Sequence, residues 1–88
     1  MNVRYFAAAR AAAGVDEERF DLADGDTITS LLAAVLAVER PEPPAGTPPL
    51  ARLLSRSSFL LNEVAVRNRS AVLKPDDVVD VLPPFAGG

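Results

Sequence analysis

Ile28, Leu31, Leu32, Val35 and Leu36 recur at three- and four-residue intervals, a spacing that dictates one amphipathic helix with a single apolar stripe. The Thr27 hydroxyl can satisfy an early helical amide and Arg40-Pro41 discourages continuation, so the helix is expected from Thr27 toward Val38. Such a stripe has to be covered, each side chain contributing roughly 1.5–3 kcal/mol before entropy is subtracted. An 88-residue chain has room for one domain with a small core, burying about 60% of its unfolded surface, and one layer of helix over sheet meets that need. The helix is therefore read as core rather than as a cofactor-binding element.

The covering layer is legible on both sides of the helix. Asn2 to Phe6 reads as a first strand in which Val3 and Tyr5 alternate with surface residues until Phe6 breaks the period. Ala7 to Ala13 favours a helical turn that Gly14 soon closes. Glu18 to Leu22 alternates as a second strand able to form a hairpin with the first, and Asp24-Gly25-Asp26 ends it. Beyond the helix, residues 39–49 hold Pro41, Pro43, Pro44, Pro48 and Pro49 and read as an exposed, stiffened connection, with a proline-recognition motif as the alternative. Leu50 to Leu54 can add a helical turn. Phe59-Leu60-Leu61, Val64-Ala65-Val66 and Val78 to Leu82 then read as three more strands, separated by Asn62-Glu63 and by a turn at Pro75-Asp76-Asp77.

Strand, strand, helix and three strands make an α+β fold, a mixed sheet grasping one main helix, with a right-handed crossover expected between the halves. The expected core is Val3, Tyr5, Phe20, Leu22, Ile28, Leu31, Leu32, Val35, Leu60, Val66, Val79 and Val81.

The chemistry available to this chain is narrow. It has neither cysteine nor histidine, which removes disulfides, thiolate chemistry, zinc clusters and histidine general-base catalysis; no metal site is expected. Gly14, Gly25 and Gly46 do not form a phosphate loop. Nine basic against twelve acidic residues give a net charge of -3, which disfavours attraction to nucleic acid or an anionic membrane, and no segment has the length or flanks of a membrane span or secretory signal. A cytoplasmic location is expected. Asp16, Glu17, Glu18, Asp21, Asp24 and Asp26 form either a partner-facing acidic patch or solvated surface; Arg52, Arg56, Arg67 and Arg69 lack the aromatic interleaving of a nucleic-acid site.

What remains is the ending Pro83-Pro84-Phe85-Ala86-Gly87-Gly88. Two stiff prolines project the terminus and two residues without side chains let it enter narrow spaces, which makes the Gly88 carboxylate the candidate chemical group. Fully extended, the six residues reach at most about 20 Å. Residues 1–82 are assigned to the folded domain and 83–88 to a flexible tail, in which Phe85 either anchors in a partner's apolar groove or makes a local core contact.

The opening Val3-Arg4-Tyr5-Phe6-Ala7-Ala8-Ala9-Arg10, the bend Leu61-Asn62-Glu63, and above all Leu73-Lys74-Pro75-Asp76-Asp77-Val78-Val79 followed by Leu82 to Gly88 resemble the sulfur-carrier small subunits of molybdopterin synthase, within the ubiquitin-like β-grasp family. Two positions depart from that pattern: Asp76 stands where the family usually has a turn glycine, and residues 39–49 form an unusually proline-rich excursion. The resemblance implies a ubiquitin-like β-grasp fold and a non-catalytic sulfur-donor subunit that binds no cofactor itself. An adenylating partner would activate Gly88 with ATP, a sulfurtransferase would convert it to a thiocarboxylate, and sulfur carried covalently there would pass to cyclic pyranopterin monophosphate in the large subunit of the synthase. Gly87 and Ala86 would thread into that subunit while Phe85, Pro84 and Pro83 dock, in an assembly of two small and two large subunits. A carrier for thiazole or cysteine biosynthesis, a ubiquitin-like covalent modifier, and a noncovalent interaction domain are the alternatives.

Overall fold

A computed structural model describes residues 1–84. Five strands form one mixed sheet: β1 (Asn2–Tyr5), β2 (Glu17–Arg19), β3 (Ser58–Leu61), β4 (Val64–Val66) and β5 (Val78–Leu82), in the order β2-β1-β5-β3-β4. The central pair β1 and β5 is parallel, with Val3 beside Val79 and Tyr5 beside Val81, and the other pairs are antiparallel. Helix α2 (Ile28–Ala37) is the main helix, joined by the seven-residue helices α1 (Ala7–Ala13) and α3 (Leu50–Arg56). The architecture is the ubiquitin-like β-grasp fold expected from the sequence. None of the described helices is long and apolar enough to cross a membrane.

Local chemistry sets the element ends. The Thr27 side chain accepts from the Ser30 amide, and the Ser30 hydroxyl accepts from the Thr27 amide, a reciprocal cap that opens α2. At the other end Val38 turns extended with its amide donating to the Val35 carbonyl, and the Arg40 guanidinium donates to that same carbonyl. Gly14, at φ +81°, closes α1 in the left-handed conformation that glycine adopts without a Cβ penalty. The Asp76 departure is harmless, since the non-glycine residues with positive φ among those described are Ala7, Asn62 and Glu63. The Pro75-Asp76 turn is tied instead by Asp77, whose carboxylate accepts from the Lys74 amide and the Asn62 side chain.

Ile28, Leu31, Leu32 and Val35 are buried with Val3, Tyr5, Val79 and Val81, as the sequence indicates. Three expectations are corrected. Leu36 is 47% exposed, lining with Leu32 and Leu54 a shallow depression between α2 and α3 rather than the core. Leu60 is not in the core: Phe59 lies opposite Val81 on the helix-covered face, so the next residue, opposite Asp80, takes the open face. Phe20, Leu22 and Val66 are half-buried against the core rather than in it: Val66 ends the edge strand β4, and Phe20 and Leu22 lie beyond the end of β2, which stops at Arg19 although Phe20 still donates its amide to Met1. Ala9, Ala12 and Ala13 of α1 and Leu50, Leu53 and Leu54 of α3 complete the buried layer. One helix thus grows to three.

Candidate functional site

The end of β5 is the part of the described structure nearest the sequence-predicted site. Leu82 closes the strand opposite Ser58, Pro83 is half-buried and Pro84 exposed. Their exit borders a mainly apolar cavity of about 560 Å³, lined by Phe6, Ala7 and Ala8 where β1 turns into α1, by Arg56 and Ser58 at the corner from α3 to β3, and by Leu82, Pro83 and Pro84. The β1–α1 corner is built from an extended Phe6 followed by Ala7 at φ +50°, a region uncommon for residues with a Cβ. That corner leaves Phe6 41% exposed beside the groove. Among the described residues Arg56 has no ion-pair partner, so it offers a free cation at the rim of an otherwise apolar surface.

On the open face of the sheet Arg4 donates through Nε and Nη2 to the two carboxylate oxygens of Asp80, at 2.5 and 2.8 Å. Asp80 is 4% exposed beneath that fork. The hydrogen bond and charge of Asp80 raise the Arg4 pKa above its ordinary value, which keeps the guanidinium charged at the centre of the sheet.

A second buried polar cluster lies away from the β5 exit. Arg40 donates to both carboxylate oxygens of Glu18, at 2.7 and 2.9 Å, while Tyr5 donates to the same carboxylate at 2.7 Å. Burial pushes the Glu18 carboxyl up, but the hydrogen bonds from Arg40 and Tyr5 outweigh it and hold the group below its ordinary range. Burial, with the bond to Glu18, raises the Tyr5 phenol. With its acid and base paired to each other this cluster is structural, and the 530 Å³ depression beside it, under the proline-rich connection, brings together no reactive groups.

Of the residues singled out from the sequence, Pro83 and Pro84 line the cavity, whereas Phe85, Ala86, Gly87 and Gly88 lie outside the described residues. Phe6, Arg56, Ser58 and Leu82 were not anticipated as site residues; the break in alternation at Phe6 is the one sequence signal that points to them. The acidic run divides: Glu18 turns inward to Arg40, Asp16 pairs with Arg10, and Asp26 caps the Ala23 amide. Among the four arginines, Arg69 is committed to the fold, donating to the Leu54 carbonyl with its guanidinium 5.0 Å from the Phe59 ring centre.

Residues 3–88 match the model of the ThiS family. The molybdopterin synthase sulfur carrier subunit of Chlamydomonas reinhardtii is 36% identical over 89 residues, spanning 100% of this chain and 98% of that protein. A solved complex of subunits 1 and 2 of molybdopterin-converting factor from Helicobacter pylori contains a chain similar at 25% identity and a TM-score of 0.63, covering 99% of this chain and 96% of that one. The small archaeal modifier protein 1 of H. volcanii, 20% identical with a TM-score of 0.74 and 97% coverage of each chain, shares the fold.

Proposed function

Because the chain belongs to the ThiS family of ubiquitin-like sulfur carriers, we propose that it is the sulfur carrier subunit of a molybdopterin synthase and that Gly88 is its working group. A carboxylate is a poor acyl acceptor of sulfur. In the proposed cycle an activating enzyme lets the Gly88 carboxylate attack the α-phosphate of ATP, releasing pyrophosphate and leaving an acyl adenylate. The terminal sulfur of a persulfide carried by a sulfurtransferase then attacks the acyl carbon and AMP departs, leaving an acyl disulfide; a second thiol cleaves its S–S bond, becoming part of a disulfide and releasing the thiocarboxylate. The large subunit accepts the tail and passes the sulfur to cyclic pyranopterin monophosphate, two transfers completing the dithiolene. Two small and two large subunits make up the assembly.

The observation that carries this reading is where β5 ends. Leu82, Pro83 and Pro84 leave the sheet beside an apolar groove flanked by exposed Phe6 and cationic Arg56, so a partner can grip the folded domain at the root of the segment that bears Gly88. The domain, residues 1–82, acts as the handle and residues 83–88 as the carrier arm. In this reading Phe85 supplies an aromatic anchor to the partner, and Ala86 and Gly87 offer little bulk to a narrow channel.

Intact-mass analysis after incubation with activating enzyme, ATP and a sulfur source tests the proposal: one oxygen is replaced by sulfur, and a residue added after Gly88 abolishes the change. Equal loading of the extended protein would overturn it. Thiocarboxylated protein is then mixed with the large subunit and cyclic pyranopterin monophosphate, and molybdopterin is the expected product. Delivery to a thiazole or cysteine pathway alone, or stable isopeptide adducts without thiocarboxylate, would reassign the carrier.

A further inference from the structure

We propose that β4 is a self-recognition edge through which two copies of this chain join their sheets. β4 lies at the margin of the sheet, and its pairing with β3 fixes the direction of its backbone groups. Leu61 and Val64 flank the two-residue turn Asn62-Glu63, whose φ values of +50° and +69° are those of a hairpin turn with both central residues left-handed. In such a hairpin the flanking pair exchanges both backbone hydrogen bonds and the next pair exchanges none. Val64 and Val66 therefore bond inward to β3, while the amide and carbonyl of Ala65 point away from the sheet.

Apart from its shortness, this edge lacks the usual protection. Val64-Ala65-Val66 contains no proline and no charge, Ala65 is exposed, and Val64 is 68% exposed. The opposite margin, β2, is Glu17-Glu18-Arg19, a strand guarded by charge. An unguarded edge accepts a strand, and the residues around Ala65 identify which one. When a second β4 runs antiparallel about a two-fold axis at Ala65, each Ala65 amide donates to the Ala65 carbonyl of the other copy. Val64 lies opposite Val66 of that copy, twice over, in the closer non-hydrogen-bonded pairing. Just beyond the strand ends, Glu63 on the turn of each copy comes beside Arg67 of the other, opposite in charge, also twice.

Neighbouring registers lose these matches. An axis at Val66 sets Val64 against Asn68 and asks Glu63 to pair with Arg69, which is already held by Leu54 and Phe59. An axis at Val64 sets Val66 against Asn62 and matches no charges. The occupant that fits is thus a second copy in the Ala65 register. Three-residue strands bury little area, which places this contact among weak, transient interfaces. β3 separates β4 from β5, so the exit at Leu82 to Pro84 stays open in both copies.

Sedimentation equilibrium of the full chain from about 10 μM to 1 mM is expected to show a monomer–dimer equilibrium. Ala65→Pro removes the central donor and abolishes dimerisation, with circular dichroism reporting an intact fold. Glu63→Arg and Arg67→Glu each weaken the dimer about tenfold, by turning two attractions into repulsions, and the double variant recovers it. A chain that stays monomeric throughout, a double variant that fails to recover, or oligomers growing past the dimer, as β4 joining β2 of the next copy would give, overturns the proposal. None of these outcomes depends on sulfur loading.

Discussion

Arg40 ties together the ends of two helices and the second strand, donating to Ala13, to Val35 and to both oxygens of Glu18, with its guanidinium 5.7 Å from the Tyr5 ring centre. Its Nε is buried without a partner among the described residues, a cost that the other bonds have to outweigh. Glu18→Gln leaves the cation without its counter-charge and is expected to lower stability at neutral pH by about 1–3 kcal/mol. Because Glu18 has a lowered native pKa, its contribution is present above the ordinary glutamate range and is lost as pH falls through the native value. Urea unfolding from neutral pH to about pH 3 should therefore show a gap between the two proteins that closes on acidification; a gap that persists would refute the ionic account. The sequence could not reveal this contact. Glu18 sits in a run that reads as surface, and its partner lies 22 residues away, brought near only by the ends of α1 and α2.

Elements were legible wherever their hydrophobic period was unbroken. The α2 stripe, the alternation in β1 and the punctuation at Asn62-Glu63 and Pro75-Asp76 all led to the right element type. Phe59-Leu60-Leu61 did not reveal its face, since three consecutive apolar residues contain no alternation and pairing with β5 makes the choice. The short α1 and α3 were visible only as helical turns, because seven residues carry too little pattern to stand out. The β3–β4 turn retains a correctable flaw: Glu63 holds φ +69° despite its Cβ. Glu63→Gly creates the preferred Asn-Gly hairpin turn and is expected to stabilise the monomer by about 1 kcal/mol, raising Tm by roughly 4–8 °C in a domain of this size. Differential scanning calorimetry checks the sign: a lower Tm would mean that Glu63 makes contacts worth more than its backbone strain.

At the scale of the whole molecule, the family resemblance was legible because its motifs are contiguous, whereas the groove beside the end of β5 was not, because it gathers residues 6–8, 56, 58 and 82–84 from three distant stretches of chain. The buried cluster runs from Met1 to Val81, so removing Gly87 and Gly88 should leave the unfolding midpoint in place while abolishing sulfur loading. Phe85→Ala should weaken large-subunit binding by about 1–4 kcal/mol in calorimetry without a matching loss of stability, and unchanged affinity would remove Phe85 from the docking surface.

The central place of β5 has a consequence in time. β1 is made first but finds its parallel neighbour, joined by the Arg4–Asp80 fork across 76 residues, only when β5 has been synthesised. Contacts of such long range close slowly and late. A chain cut short before Val78 lacks the middle of its sheet and cannot assemble the Phe6–Leu82 groove. Completion of the groove thus waits on the last strand: the cavity between Phe6 and Leu82 forms only on chains made through the end of β5.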